Sequence, residues 1–80
     1  MRLPRDLSGA ELARALGRLG YTVTRRSGSH IRLTTGRGGR HHVTIPAHRT
    51  LRVGTLAAIL DEVGRHHALS RAELLEELFG

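Results

Sequence analysis

At Gly20-Tyr21 the spacing of apolar residues changes from about 3.6 to two, and this change limits the folds open to the chain. Before it, Leu12, Ala15, Leu16 and Leu19 recur as the stripe of an amphipathic helix. Ser8 and Glu11 form an S-x-x-E capping box, Leu7 and Leu12 occupy the staple positions, and Gly20 supplies a left-handed stop. Arg14 and Arg18, four apart, fall on the opposite, wet face. After the change, residues 21–26 and 30–35 alternate as strands on either side of a Ser27-Gly28 turn. A looser turn over residues 36–39 leads to a third strand, about 40–45, which ends at Pro46 because proline cannot donate to a ladder.

Alternation assigns Tyr21, Val23, Ile31, Leu33, Val43 and Ile45 to one sheet face, which needs helices over it. His30, Arg32, Thr34, His42 and Thr44 go to the other face, which stays open, polar and cationic. A second helix is expected from about Gly54, with Leu56, Ile59, Leu60 and Val63 as its stripe and Gly64 as its stop. A polar turn, Arg65-His66-His67, follows, its histidines simply solvated. Ser70 and Glu73 make another capping box, opening a last helix with Leu74, Leu75, Leu78 and Phe79 on its apolar side. The expectation is one α+β domain over residues 1–80: α-β-β-β-α, a three-stranded antiparallel sheet with helices on one face, plus a short C-terminal helix. Repeats and low-complexity segments are absent.

Composition narrows the function classes. With one Tyr, one Phe and no Trp, the core must be aliphatic and thin. With no cysteine, neither a disulfide framework nor a thiolate zinc site is open to it. His41 and His42 are adjacent, so a strand throws them to opposite faces and they make a poor metal pair. Residues 36–39 lack the G-K-[ST] ending of a phosphate-binding loop. No apolar run approaches the ~18–20 residues of a membrane span, and no signal-peptide core follows Met1, so a cytoplasmic location is expected. All 13 basic residues are arginine. Residues 1–52 carry eleven of them against Asp6 and Glu11, a net +9, whereas residues 53–80 carry two against five carboxylates, a net −3. A basic body with an acidic end is the footprint of a polyanion binder whose last helix does another job.

The run Arg25-Arg26-Ser27-Gly28-Ser29-His30 concentrates the chemistry. It offers two cations, a glycine able to take φ > 0 in a tight turn, hydroxyls and a histidine opening a strand. An imidazole beside fixed positive charge suits a phosphodiester.

Gly28-Ser29-His30 also resembles the G-S-H signature of the HicA-type toxin family. Ile45-Pro46-x-His48, Gly54-Thr55-Leu56-x-x-Ile59-Leu60 and the Leu19-Gly20-Tyr21 step are similar to that family too, so the resemblance spans roughly residues 8 to 79. It implies a fold like a double-stranded RNA-binding domain, and a type II toxin that cleaves mRNA and is silenced by a HicB-type antitoxin. The catalytic histidine of the family falls on His30, and Arg25 stands where many members have a basic residue. Arg26 stands where a polar residue, often Gln, is usual.

RNA needs no metal for cleavage, because its own 2′-OH is the nucleophile once a base removes the proton. A neutral imidazole, with an ordinary pKa near 6.5, suits that step. The expected site is therefore His30 as general base, Arg25 and Arg32 as phosphate clamps, Ser29 as an orienting hydroxyl, and Gly28 in the turn, with no metal or other cofactor. His48 and His42 are candidates for a second group. Expected partners are mRNA and the antitoxin, in a homo- or hetero-oligomer. Two other classes stay open: a non-catalytic RNA- or DNA-binding module using the same face, and a helix-turn-helix over residues 54–79. The second carries the wrong sign of charge for a major groove.

Overall fold

The computed structural model describes residues 2–80. The α+β architecture is the expected one. Helix α1 (Gly9–Leu16) opens with both arms of the capping box in place: the Glu11 amide donates to Ser8 Oγ at 3.0 Å, and the Ser8 amide to Glu11 Oε1 at 2.9 Å. Its last turn tightens to a 3₁₀ turn, Gly17–Leu19, and Gly20 ends it at φ 84°. Strands β1 (Thr22–Arg26), β2 (His30–Thr35) and β3 (His41–Pro46) form one antiparallel sheet in the order β1-β2-β3. Helices α2 (Val53–His67) and α3 (Arg71–Phe79) complete the chain, and Ser70 and Glu73 again form a capping box.

The core is aliphatic, as the composition requires. Ile31, Leu33, Val43 and Ile45 bury one sheet face against Leu12 and Leu16 of α1, Leu56, Leu60 and Val63 of α2, and Leu74, Leu75 and Leu78 of α3. Gly9 is buried where α1 meets the end of β3, its amide donating to the His48 carbonyl at 2.9 Å. A Cβ at Gly9 would overlap the Pro46 carbonyl, so this glycine fixes how closely helix and strand approach. No helix among the described residues is long and apolar enough to cross a membrane.

Three expectations need correction. Val23 pairs with Leu33 but is 45% exposed, because β1 is an outer strand that the helices leave uncovered. The register between β1 and β2 shifts between Val23 and Arg25, so strict alternation does not survive past Val23. Finally, Gly64 does not stop α2. It lies buried inside the helix, where a Cβ would stand 3.0 Å from the Leu69 carbonyl oxygen and 3.7 Å from Leu74 Cδ2. Its small size admits the turn into α3, and the helix runs on to His67 before Ala68 ends it at φ 55°.

His66 and His67 are consequently helical, and they have partners. The Tyr21 hydroxyl lies 2.7 Å from His41 Nδ1 and 3.1 Å from His67 Nε2. His41 Nε2 approaches the Glu62 carboxylate at 3.4 Å, and the His41 and His66 rings stack at 4.4 Å. His66 Nε2 donates to the carbonyls of Arg37 and Gly39, so it carries the proton. The cluster joins the end of α2 to β3 and to the β2–β3 turn. Its carboxylate–imidazole–hydroxyl order is that of a nucleophile relay, but burial, and then Glu62, push the Tyr21 hydroxyl up to about 12. Buried and unwilling to ionise, Tyr21 serves the fold.

The cluster makes stability depend on pH. Burial, and then the neighbouring His66, His41 and Arg37, hold the His67 imidazole below its ordinary value. The unfolded chain therefore takes up a proton that the folded chain resists, and stability is lost as pH falls through the folded pKa. Thermal unfolding should move to lower temperature between about pH 7.5 and about pH 5.5, across the ordinary histidine value. His42, also lowered, adds in the same direction. His67→Gln, which keeps an N–H for Tyr21 but cannot titrate, should flatten part of that slope; an unchanged slope would remove His67 from it.

Candidate active site

The β1–β2 turn is held from both sides. The Ser27 amide donates to the His30 carbonyl at 2.9 Å, the His30 amide donates to Ser27 Oγ at 3.1 Å, and the Ala47 amide donates to the Ser29 carbonyl at 2.8 Å. Gly28 does not take the left-handed conformation here, and a Cβ on it would meet nothing within 4 Å. Its freedom is thus not what closes the turn; its surroundings are open space. His30, the first residue of β2, lies opposite Pro46 and is exposed.

His30 Nδ1 lies 2.9 Å from Ser29 Oγ. A serine hydroxyl both donates and accepts, so it can hold the ring in either neutral tautomer and in the protonated form. With Nδ1–H donating to Ser29, the lone pair stands on Nε2, which makes no hydrogen bond within the described chain. That is the form a base requires.

Around the ring is a shallow depression of about 230 Å³ lined by Arg25, Ser27, His30, Arg32 and Thr44. The register shift matters here. Unbroken alternation from Val23 would have turned Arg25 to the covered side. Instead Arg25 pairs with Arg32, whose partner in β3 is Thr44, so both guanidinium groups share the open face with His30. Arg26 pairs with Ile31 and goes the other way. Two guanidinium groups and an imidazole in one depression have the chemistry to receive a phosphodiester, the arginines being able to stabilise charge on its non-bridging oxygens. With no carboxylate in the lining, the donor set is a poor match for a divalent cation. Among the described residues no group of three or more His, Asp or Glu side chains is placed so that it could hold a metal ion.

The other candidate residues are placed apart. His48 follows β3 and lines a separate depression with Ser8, Arg26, Ala47 and Arg49, so it does not share the His30 depression. His42 is on the open face, opposite Thr34 at the far end of β2. Arg25, Ser29, His30 and Arg32 are brought together. Ser27, which fixes the His30 backbone, was read only as a turn residue; hydroxyls on both sides of Gly28 were the signal available.

Over residues 9–69 the chain matches the family model described as the HicA toxin of bacterial toxin-antitoxin. The chain belongs to the HicA toxin family. No curated protein and no solved structure matches it. For a HicA toxin, an antitoxin is the partner that the family implies. The HicA match holds α1, the whole sheet and α2, and so every residue of the His30 depression, while α3 lies beyond it.

Proposed function

We propose that this HicA toxin is an endoribonuclease that cleaves mRNA in the cytoplasm without a metal, using His30 as general base. The observation that carries the reading is the His30 ring, fixed through Nδ1 by Ser29, in one depression with Arg25 and Arg32. His30 Nε2 takes the proton of a ribose 2′-OH, the oxygen attacks the adjacent phosphorus, and the arginines neutralise charge on the phosphoryl oxygens. The P–O bond to the 5′ oxygen breaks and leaves a 2′,3′-cyclic phosphate. Arginine is too weak an acid to protonate the leaving oxygen, so the proton that His30 has taken up returns to that oxygen through water, which restores the neutral ring. One acid–base group supplies about 10²–10⁴-fold, which makes the enzyme slow. A HicB-type antitoxin that silences it would cover His30 and present carboxylates to Arg25 and Arg32, with a salt-sensitive on-rate.

Single-stranded RNA incubated with the protein in EDTA should yield fragments with 2′,3′-cyclic phosphate ends. Intact RNA that is merely retarded on a gel would replace the enzyme with a binding module on the same face.

A further inference from the structure

The open sheet face continues well past the His30 depression. Alternate residues of β2, His30, Arg32 and Thr34, line it, and each step of two residues advances about 6.7 Å. That is close to the phosphate-to-phosphate separation of an extended single strand. At the far end His42 stands opposite Thr34, and a chain of hydroxyls fixes its ring. Thr24 Oγ1 lies 2.9 Å from Thr34 Oγ1, which lies 2.7 Å from His42 Nδ1.

Thr24 Oγ1 also donates to the Arg32 carbonyl at 3.4 Å. With the Thr24 proton committed to that carbonyl, Thr34 donates to Thr24 and His42 Nδ1–H donates to Thr34, the order that meets all three contacts. The neutral ring then carries its proton on Nδ1, and Nε2 takes up a second proton to donate once a phosphate oxygen stands against it. Desolvation, then Arg32, Arg40 and His41, hold the His42 ring below its ordinary value, and a phosphate beside Nε2 offsets those cations. Nothing in the hydrophobic core uses the Thr24–Thr34–His42 chain, since all three side chains lie on the side away from the helices.

We propose that Thr34 and His42 form a second phosphate subsite, two nucleotides from the bond that breaks beside His30, holding a single RNA strand parallel to β2. This rests on the ribonuclease reading. Phe, Tyr and Trp are absent from the face, so bases have no aromatic platform there and the subsite reads backbone rather than sequence. Its contribution is to binding, and it enters KM rather than kcat.

Cleavage of an oligoribonucleotide of about 8 nucleotides, a length within ordinary single-strand site sizes, is compared with cleavage of a diribonucleotide. The wild type should show a higher kcat/KM on the longer RNA. His42→Ala and Thr34→Val should raise KM on the longer RNA roughly tenfold at unchanged kcat, the loss of one hydrogen bond to a charged group. They should leave the diribonucleotide unaffected, and Thr34→Ser, which keeps the hydroxyl, should restore the wild-type KM. Variants that keep the full length dependence, or that lose activity equally on both substrates, overturn the subsite while the ribonuclease reading stands. A wild type that leaves both RNAs intact overturns the two together.

Discussion

His30→Ala should lower the rate of RNA cleavage by roughly 10²–10⁴-fold, the range a positioned acid–base group supplies. The ring is exposed, and among the described residues its one hydrogen bond is to Ser29, so its removal takes nothing from the core. Unfolding temperature and RNA retention on a gel should therefore stay near those of the parent, because Arg25 and Arg32 remain to hold phosphate. The decisive readout is the yield of 2′,3′-cyclic ends per unit time at saturating RNA. A folded His30→Ala protein that cleaves at the parental rate would take His30 out of the mechanism.

A chain ending at Leu69 should fail to fold cooperatively at 25 °C, although it keeps the whole stretch matched by the HicA family model. Helix α3 contributes Leu74, Leu75 and Leu78 to the core, each at most 2% exposed. Truncating one buried leucine to alanine costs about 2–5 kcal/mol, and a typical domain has only about 5–15 kcal/mol in all. Deleting three also uncovers the faces of α1 and α2 against which they pack. The helix is tied further at its end, where Arg18 donates to the carbonyls of Glu77 and Gly80. Urea unfolding followed by circular dichroism reads the result, and Leu74→Ala supplies a milder step of about 2–5 kcal/mol. A truncated chain that melts in one transition at the parental temperature would show that α3 is dispensable.

How far the fold was legible depends on how local its causes are. Ser8 with Glu11 and Ser70 with Glu73 act within four residues, so both helix starts could be read directly, as could the stop at Gly20. Gly64 misled because its reason is a contact with Leu69 and Leu74 rather than a backbone conformation, and no neighbouring residue reveals that. The histidine cluster was invisible for a similar cause: Tyr21 and His67 are 46 positions apart. At the candidate site, the company of His30 with Arg25, Ser29 and Arg32 was anticipated. The register shift that brings Arg25 to that side was not, since neither glycine nor proline marks it. Gly28 draws attention for its conformational freedom, while Gly9 and Gly64 are positions that need a missing side chain.

The outer strand β1 has one edge without a sheet neighbour, and it bears an exposed Val23. Free strand edges invite other chains to add on and grow a fibril, and cationic side chains are a common deterrent. Arg25 and Arg26 stand on that rim, so the charge that the proposed ribonuclease would offer to RNA is also of the kind that discourages edge-to-edge pairing of copies. A partner that neutralises this charge must therefore occupy the rim itself, or leave it open to self-association.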